Sequence, residues 1–318
     1  MAQAKHGEQA DGLPMVDYQY SVVDVFTEQP FSGAQITVFT EAAGLSDTQM
    51  QVMARETNHS DTVFVVPANK GNAARLKVFS PQGEREVGSH TTVAAAFALA
   101  ETGKLSVNGE LSRLKFEQGQ REFPVLLKQS GSGLMAQLGL SVQPQIDHYV
   151  PDGHELQQIL GLQASDMEVL KARPLFVSCD TPYLIVPLRS LDAVYRASFH
   201  AEAWAQSSAS SIPVNEILVY CRETESEKAD FHLRLLGSGR SSQDDPPVGA
   251  AIPAFAAYLV NVQKLAGGTH ALWVERGRST VRQSLLKVEF DQQPSAPLSV
   301  RIGGAAVLVG GGTMRCPN

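Results

Sequence analysis

Apolar and polar residues along this chain form short alternating runs broken by turn residues, and the runs fall into two similar series. Tyr18 to Phe26 and Gln35 to Thr40 read as strands joined through the turn Pro30-Phe31-Ser32-Gly33. Ser46-Asp47-Thr48-Gln49 has the reciprocal capping pattern that starts a helix, predicted to run to about Thr57 with Met50, Met53 and Ala54 on one face. Strands Val63 to Val66 and Arg75 to Phe79 follow. A Pro81-Gln82-Gly83 turn then leads to a helix over His90 to Glu101, so rich in alanine that it must be buried all round. Strands near Lys115, at Pro124 to Lys128 and at Leu134 to Leu138 close the first series.

The second series repeats the order. The Pro-, Gln- and Gly-containing stretch from Ser141 to Gly153 reads as a linker, and Asp152-Gly153-His154-Glu155 is a second capping box opening a helix to Leu160. Strands are predicted at Leu175 to Ser178, Tyr183 to Val186, Glu216 to Tyr220 and Phe231 to Leu236. Asp244-Asp245-Pro246-Pro247-Val248-Gly249 then opens a second alanine-rich helix, to about Val260, and Ala271 to Val309 is again strands. Setting Ser89 against Gly249 pairs Ala94 with Ala254, Ala96 with Ala256 and Leu99 with Leu259. An internal duplication follows from that shared order, each half holding one buried helix entered through a Gly-containing turn. The division gives an N-terminal domain over 15–140 and a C-terminal domain over 141–318.

Composition narrows the function. At 318 residues with 43% hydrophobic and 19% charged residues, the chain is globular and long enough for two cores. A net charge of -7 and no stripe of Lys and Arg argue against nucleic acid as a partner. The three cysteines, Cys179, Cys221 and Cys316, lack CxxC spacing and are odd in number, which fits buried thiols in a reducing compartment. No apolar run is long enough to span a membrane and Met1 to Pro14 lacks the core of a signal peptide, so a cytoplasmic protein is expected. Asn58-His59-Ser60 matches a glycosylation acceptor, which has no consequence without secretion.

The candidate chemistry lies where the helices begin. Two buried helices meeting near their N-termini would present free backbone N–H groups to a carboxylate. His90 falls in the first turn of one of them, where the helix dipole favours a neutral ring able to pass protons; the other reading is a packed core histidine. Asp61 opens a strand apolar through Val66, and a carboxylate there is either a general base or the cap of a turn. Asp244 and Asp245 precede a helix and can cap it without doing chemistry. His154-Glu155 is not a zinc site, because Gln158 stands where the second histidine would be. No GxSxG, P-loop or strand-following GxGxxG is present, and Gly310-Gly311-Gly312 is too near the C-terminus to open a phosphate-binding helix. No metal and no organic cofactor is expected.

These residues resemble a known family. Val23-Asp24-Val25-Phe26 through Phe39, the Arg55-Glu56-Thr57-Asn58-His59-Ser60-Asp61-Thr62-Val63-Phe64-Val65 segment, Phe79-Ser80-Pro81 with His90-Thr91-Thr92-Val93-Ala94-Ala95-Ala96, and Asp245-Pro246-Pro247-Val248-Gly249-Ala250 are together similar to the phenazine-biosynthesis PhzF-like family. That family shares its fold with diaminopimelate epimerase. The resemblance covers Tyr18 to about Leu308 and implies an α+β fold of two pseudo-symmetric domains, each a β-barrel-like roll around a central helix, with the active site in the cleft between them. It further implies a proton moved on a small unsaturated or amino-acid-like acid, without metal or cofactor, and a homodimer by analogy. Carried onto matching positions, the catalytic residues would be Asp61, His90 and Asp245, with Ser60, Gly88, Ser89, Thr91, Gly249 and Ala250 around the substrate.

Four positions depart from the family pattern. Asp61 stands for its glutamate, Ser89 for the glycine before the histidine, and Val248 and Ala250 for a threonine and a serine. Gly88 and Val248-Gly249-Ala250 also offer no thiol, so a cysteine-pair racemase is not expected. The leading expectation is a cofactor-independent isomerase. A non-catalytic small-molecule binding protein and a cyclase on the same scaffold remain open at this point.

Overall fold

The computed structural model describes residues 15–107, 109–130, 133–212, 216–237, 246–294 and 296–317. The first half runs β1 (Met15–Val25), β2 (Ala34–Phe39), α1 (Asp47–Thr57), β3 (Asp61–Val66), β4 (Ala74–Phe79), β5 (Glu84–Arg85), α2 (Ser89–Glu101), β6 (Leu111–Gln118), β7 (Arg121–Ser130) and β8 (Gly133–Val142). The second runs β9 (Gln145–Asp147), α3 (Gly153–Leu160), β10 (Leu175–Ser178), β11 (Pro182–Pro187), α4 (Leu191–Arg196), α5 (Ala201–Gln206), β12 (Ile217–Cys221), β13 (Phe231–Leu236), α6 (Ile252–Gln263), β14 (Gly268–Arg276), β15 (Ser284–Gln292) and β16 (Leu298–Pro317).

Pairing shows the duplication directly. In the first half β1 and β2 are antiparallel, β2 and β3 parallel, β3 and β4 antiparallel, β4 and β6 parallel, and β6, β7 and β8 antiparallel. From β10 to β16 the same sequence of pairings recurs: antiparallel, parallel, antiparallel, parallel, antiparallel, antiparallel. In each half one helix-containing crossover lies between the second and third strands, and the buried helix (α2, then α6) lies between the fourth and fifth. The fold is therefore α+β, two similar barrel-like rolls of strands, each around its own central helix.

The two rolls are joined along β8 and β16, the equivalent last strands, which pair with one another antiparallel from Leu298↔Val142 to Ala305↔Met135. Beyond that seam each strand crosses to the other half. From Ala306 onward β16 pairs with β1, closing eight strands into a ring around α2. Past Val142 the chain continues as β9, which pairs with β10. The predicted linker from Ser141 to Gly153 is thus corrected: its first part is strand, interrupted at Pro144, which has no N–H to give a ladder.

Alanine content follows from this geometry. α2 buries every residue from Thr91 to Leu99, and Ala94, Ala95 and Ala96 are inaccessible, because strands surround the helix and leave no room for larger side chains. α6 is alike, with Ile252 to Leu259 buried, the large side chains of Phe255 and Tyr258 among them. A smaller outer cluster packs α1 on the barrel through Met50, Met53, Phe39, Phe64 and Phe79. The predicted capping boxes at Ser46 and Asp152 both form, the latter with Asp152 Oδ1 accepting from the N–H groups of His154 and Glu155 at 2.8 Å. Among the described residues no helix is long and apolar enough to cross a membrane.

Candidate active site

α1 is followed by Asn58, which caps it in a left-handed conformation (φ 50°) and turns the chain into β3. That turn delivers Asp61 as the first residue of a strand whose next five residues are buried. The parallel register sets Asp61 beside Ile36. α2 begins next to it, and its second residue, His90, bonds through Nε2 to Asp61 Oδ2 at 2.9 Å. Both side chains are mostly shielded, at 14% and 17% exposed, so neither is a solvated surface charge. Room for the imidazole comes from Gly88: a Cβ there would stand 3.0 Å from His90 Cε1 and 3.2 Å from Nδ1.

The starts of the two buried helices come together at this point. Gly249 opens a single 3-10 turn (Gly249–Ala251) that runs into α6, and a Cβ on it would overlap the Ser89 hydroxyl. Among the described residues, neither helix start has an acidic residue in its first turn or an N-cap residue whose side chain caps it. By contrast α1, α3 and α4 carry both, with Ser46, Asp152 and Ser190 as caps. Two helix N-termini brought to one region, neither with an acidic first turn, favour an anion there.

The expected site residues are placed as follows. Asp61, Gly88, Ser89, His90 and Gly249 converge. Thr91 is inaccessible, and its hydroxyl accepts from Gly88 N–H (2.9 Å) and donates to Gly88 C=O (3.0 Å), so it closes the first turn of α2. Ser60 is exposed, with a 3.4 Å bond to Gln35 C=O as its side-chain contact among the described residues, and Ala250 is exposed. Asp244 and Asp245 lie outside the described residues. Among those described, no three His, Cys, Asp or Glu side chains converge as metal ligands. Burial pushes the Cys179 thiol up to about 11 and Cys221 to about 12, which makes them poor nucleophiles.

Sequence reasoning missed the support beside the site. His59, two residues before Asp61, bonds through Nδ1 to Thr37 Oγ1 at 2.6 Å. Burial and then the Arg282 guanidinium hold its imidazole below the ordinary value, with Asp24 opposing. Arg282 comes from the second half, donates to the inaccessible Asp24 carboxylate at 3.0 Å and also reaches the Ser32 and Gly33 carbonyls. Asp24 Oδ2 in turn accepts the Phe31 N–H at 2.7 Å. The turn is further held by Gly33 N–H on Gln283 C=O, and Gly33 has φ 69° with no space for a Cβ beside Val25 C=O. The β1–β2 turn of one half is therefore latched by the other, on partners about 250 positions away in sequence.

The sequence profile of the phenazine biosynthesis-like protein family matches residues 23–312. The chain belongs to that family. It is 31% identical over 300 residues to an uncharacterized isomerase of Mesorhizobium japonicum, covering 93% of this chain and 98% of the relative. It is 26% identical over 302 residues to the trans-2,3-dihydro-3-hydroxyanthranilate isomerase of Pseudomonas chlororaphis, covering 93% and 99%. The crystal structure of a Bacillus anthracis phenazine biosynthesis protein of the PhzF family superposes with a TM-score of 0.82 at 25% identity, covering 94% of this chain and 99% of that one. Isomerisation is accordingly the activity class of this family member.

Proposed function

We propose that the chain is a cofactor-independent isomerase that moves a proton within a small unsaturated or amino-acid-like acid, by double-bond migration or tautomerisation. The observation that carries the reading is the shielded Asp61–His90 pair standing where the N-termini of the two buried helices meet. The helix starts hold the substrate carboxylate through backbone N–H groups. Asp61 takes a proton from the carbon next to a carbonyl, imine or vinylogous carboxylate, and the electron pair left behind delocalises toward the bound oxygens. His90, or Asp245 from the other half, returns a proton at a different carbon, so the substrate is rearranged with no net change in composition. Cofactor independence rests on the absence of metal-ligand spacing and of any phosphate-binding glycine loop in the sequence. A homodimer is part of the reading by family analogy, and light scattering measures it.

The test is proton exchange. Trans-2,3-dihydro-3-hydroxyanthranilate, named for the Pseudomonas chlororaphis relative, and other unsaturated acids are incubated with the protein in deuterated water and followed by NMR. Label entering the product at one carbon is the expected result, unaffected by a chelator. Acids that bind without taking up deuterium would replace the isomerase with a binding protein.

A further inference from the structure

Ser89 is the first residue of α2, is 3% exposed, and its hydroxyl has no hydrogen-bond partner among the described residues. It points across to Gly249 at the start of the other helix. Leaving a buried hydroxyl unpaired is costly, so its persistence calls for an explanation. The fold supplies none, since the family pattern has glycine at this position. Resting on the active-site reading above, we propose that Ser89 is a specificity-determining residue. Its O–H donates to an acceptor oxygen of the substrate, such as one of its carboxylate oxygens, lying between the two helix starts.

Two consequences define the substrate class. The hydroxymethyl group occupies space that glycine leaves open, so a bulky apolar substituent is excluded at that point. An acid whose oxygen reaches the junction gains a hydroxyl donor beside the two sets of backbone N–H groups. Selection between otherwise similar unsaturated acids is then made by a missing or present acceptor, which discriminates more sharply than apolar volume does.

The experiment pairs Ser89→Ala with Ser89→Gly. Binding of small carboxylic acids, from acetate to 2-aminobenzoate, is measured by calorimetry on the unreactive acids, and KM on any acid that exchanges deuterium. Thermal melting is followed without ligand. Ser89→Ala is expected to weaken binding or raise KM about tenfold, the size of a lost hydrogen bond to a charged group, with kcat falling less. The same substitution should raise the melting temperature, because it removes an unpaired buried donor. Unchanged affinity would overturn the proposal. So would a lower melting temperature in both variants, which would mean that the hydroxyl serves the fold. If acids bind in a Ser89-dependent way but no deuterium enters any of them, the isomerase reading falls and Ser89 stands. Exchange with the wild-type KM in Ser89→Ala removes Ser89 alone.

Discussion

Asp61 and His90 share one hydrogen bond, and each limits what the other can become. Asp61→Asn keeps the shape and loses the base, so turnover should fall by about 10²- to 10⁴-fold while ligand binding persists. Asp61→Glu restores the family's residue but adds a methylene where His90 already stands at 2.9 Å. It should lose rate, about a hundredfold for a displacement near 1 Å; a gain would mean that the site is not tuned to Asp. Beside them His59 makes a pH prediction. Its lowered value means that the unfolded chain binds the proton more readily, so its contribution is complete above about 6.5 and is lost as pH falls below that. Wild type should therefore lose denaturant midpoint relative to His59→Gln as pH falls below about 6.5, while the difference between the two stays constant above it; parallel curves throughout would contradict it. Gly249 tests the helix junction: Gly249→Ala should destabilise by about 1–3 kcal/mol through overlap with the Ser89 hydroxyl. Adding Ser89→Ala should recover most of that, since the two Cβ positions clear one another at an ordinary 3.6 Å. Additive losses would show that the overlap is not the cause.

At the scale of elements, the duplication survives in chemistry where sequence identity has faded. Register places Glu117 of β6 beside Arg75 of β4, and Glu275 of β14 beside His232 of β13, at matching positions in the two halves. Each carboxylate grips the preceding turn by two consecutive backbone N–H groups, Asn69 and Lys70 in one half and Glu225 and Ser226 in the other. Glu275 is inaccessible and also accepts from His232 Nδ1 at 2.8 Å and from Gln283 Nε2 at 3.2 Å. Glu275→Ala should therefore cost about 3–5 kcal/mol by leaving those donors unpaired, read from chemical denaturation; a loss within about 0.5 kcal/mol would mean that water replaces it. The helices and strands that contain these groups were legible in the sequence, because capping boxes and alternation act within a few residues. The Asp61–His90 neighbourhood was legible too, through its motif. The carboxylate grips and the Arg282 latch were not, since nothing local ties position 24 to 282 or 225 to 275. The same limit hid the role of Ser141 to Asp147, whose composition resembles a linker and whose partners lie on β16 and β10.

At the scale of the whole molecule, neither roll is complete without the other. The strand that closes the ring around α2 is the last one in the chain, and Ala306 to Pro317 pair with β1 only after β16 has paired with β8 and β15. The seam leaves no slack: a Cβ at Gly303 would overlap the Ala136 carbonyl, and a Cβ at Gly304 would stand 3.0 Å from the Phe26 ring. Phe26 N–H is itself bonded to Ala305 C=O and its C=O to Leu285 N–H. A first half ending at Val142 would expose β1 and β8 as unpaired edges over an apolar interior, the situation that promotes aggregation. Expressed alone, residues 15–142 and 143–318 should each be insoluble or unfolded by circular dichroism. Co-expressed, the two pieces should assemble into a soluble complex with the melting behaviour of a nicked intact protein and with the exchange activity of the cleft. The cleft demands both pieces because α2 brings His90 and the second half brings Gly249 and the Arg282 latch. If the first piece folds and melts cooperatively by itself, the shared strand is an accessory of the barrel and the first half does not depend on the second.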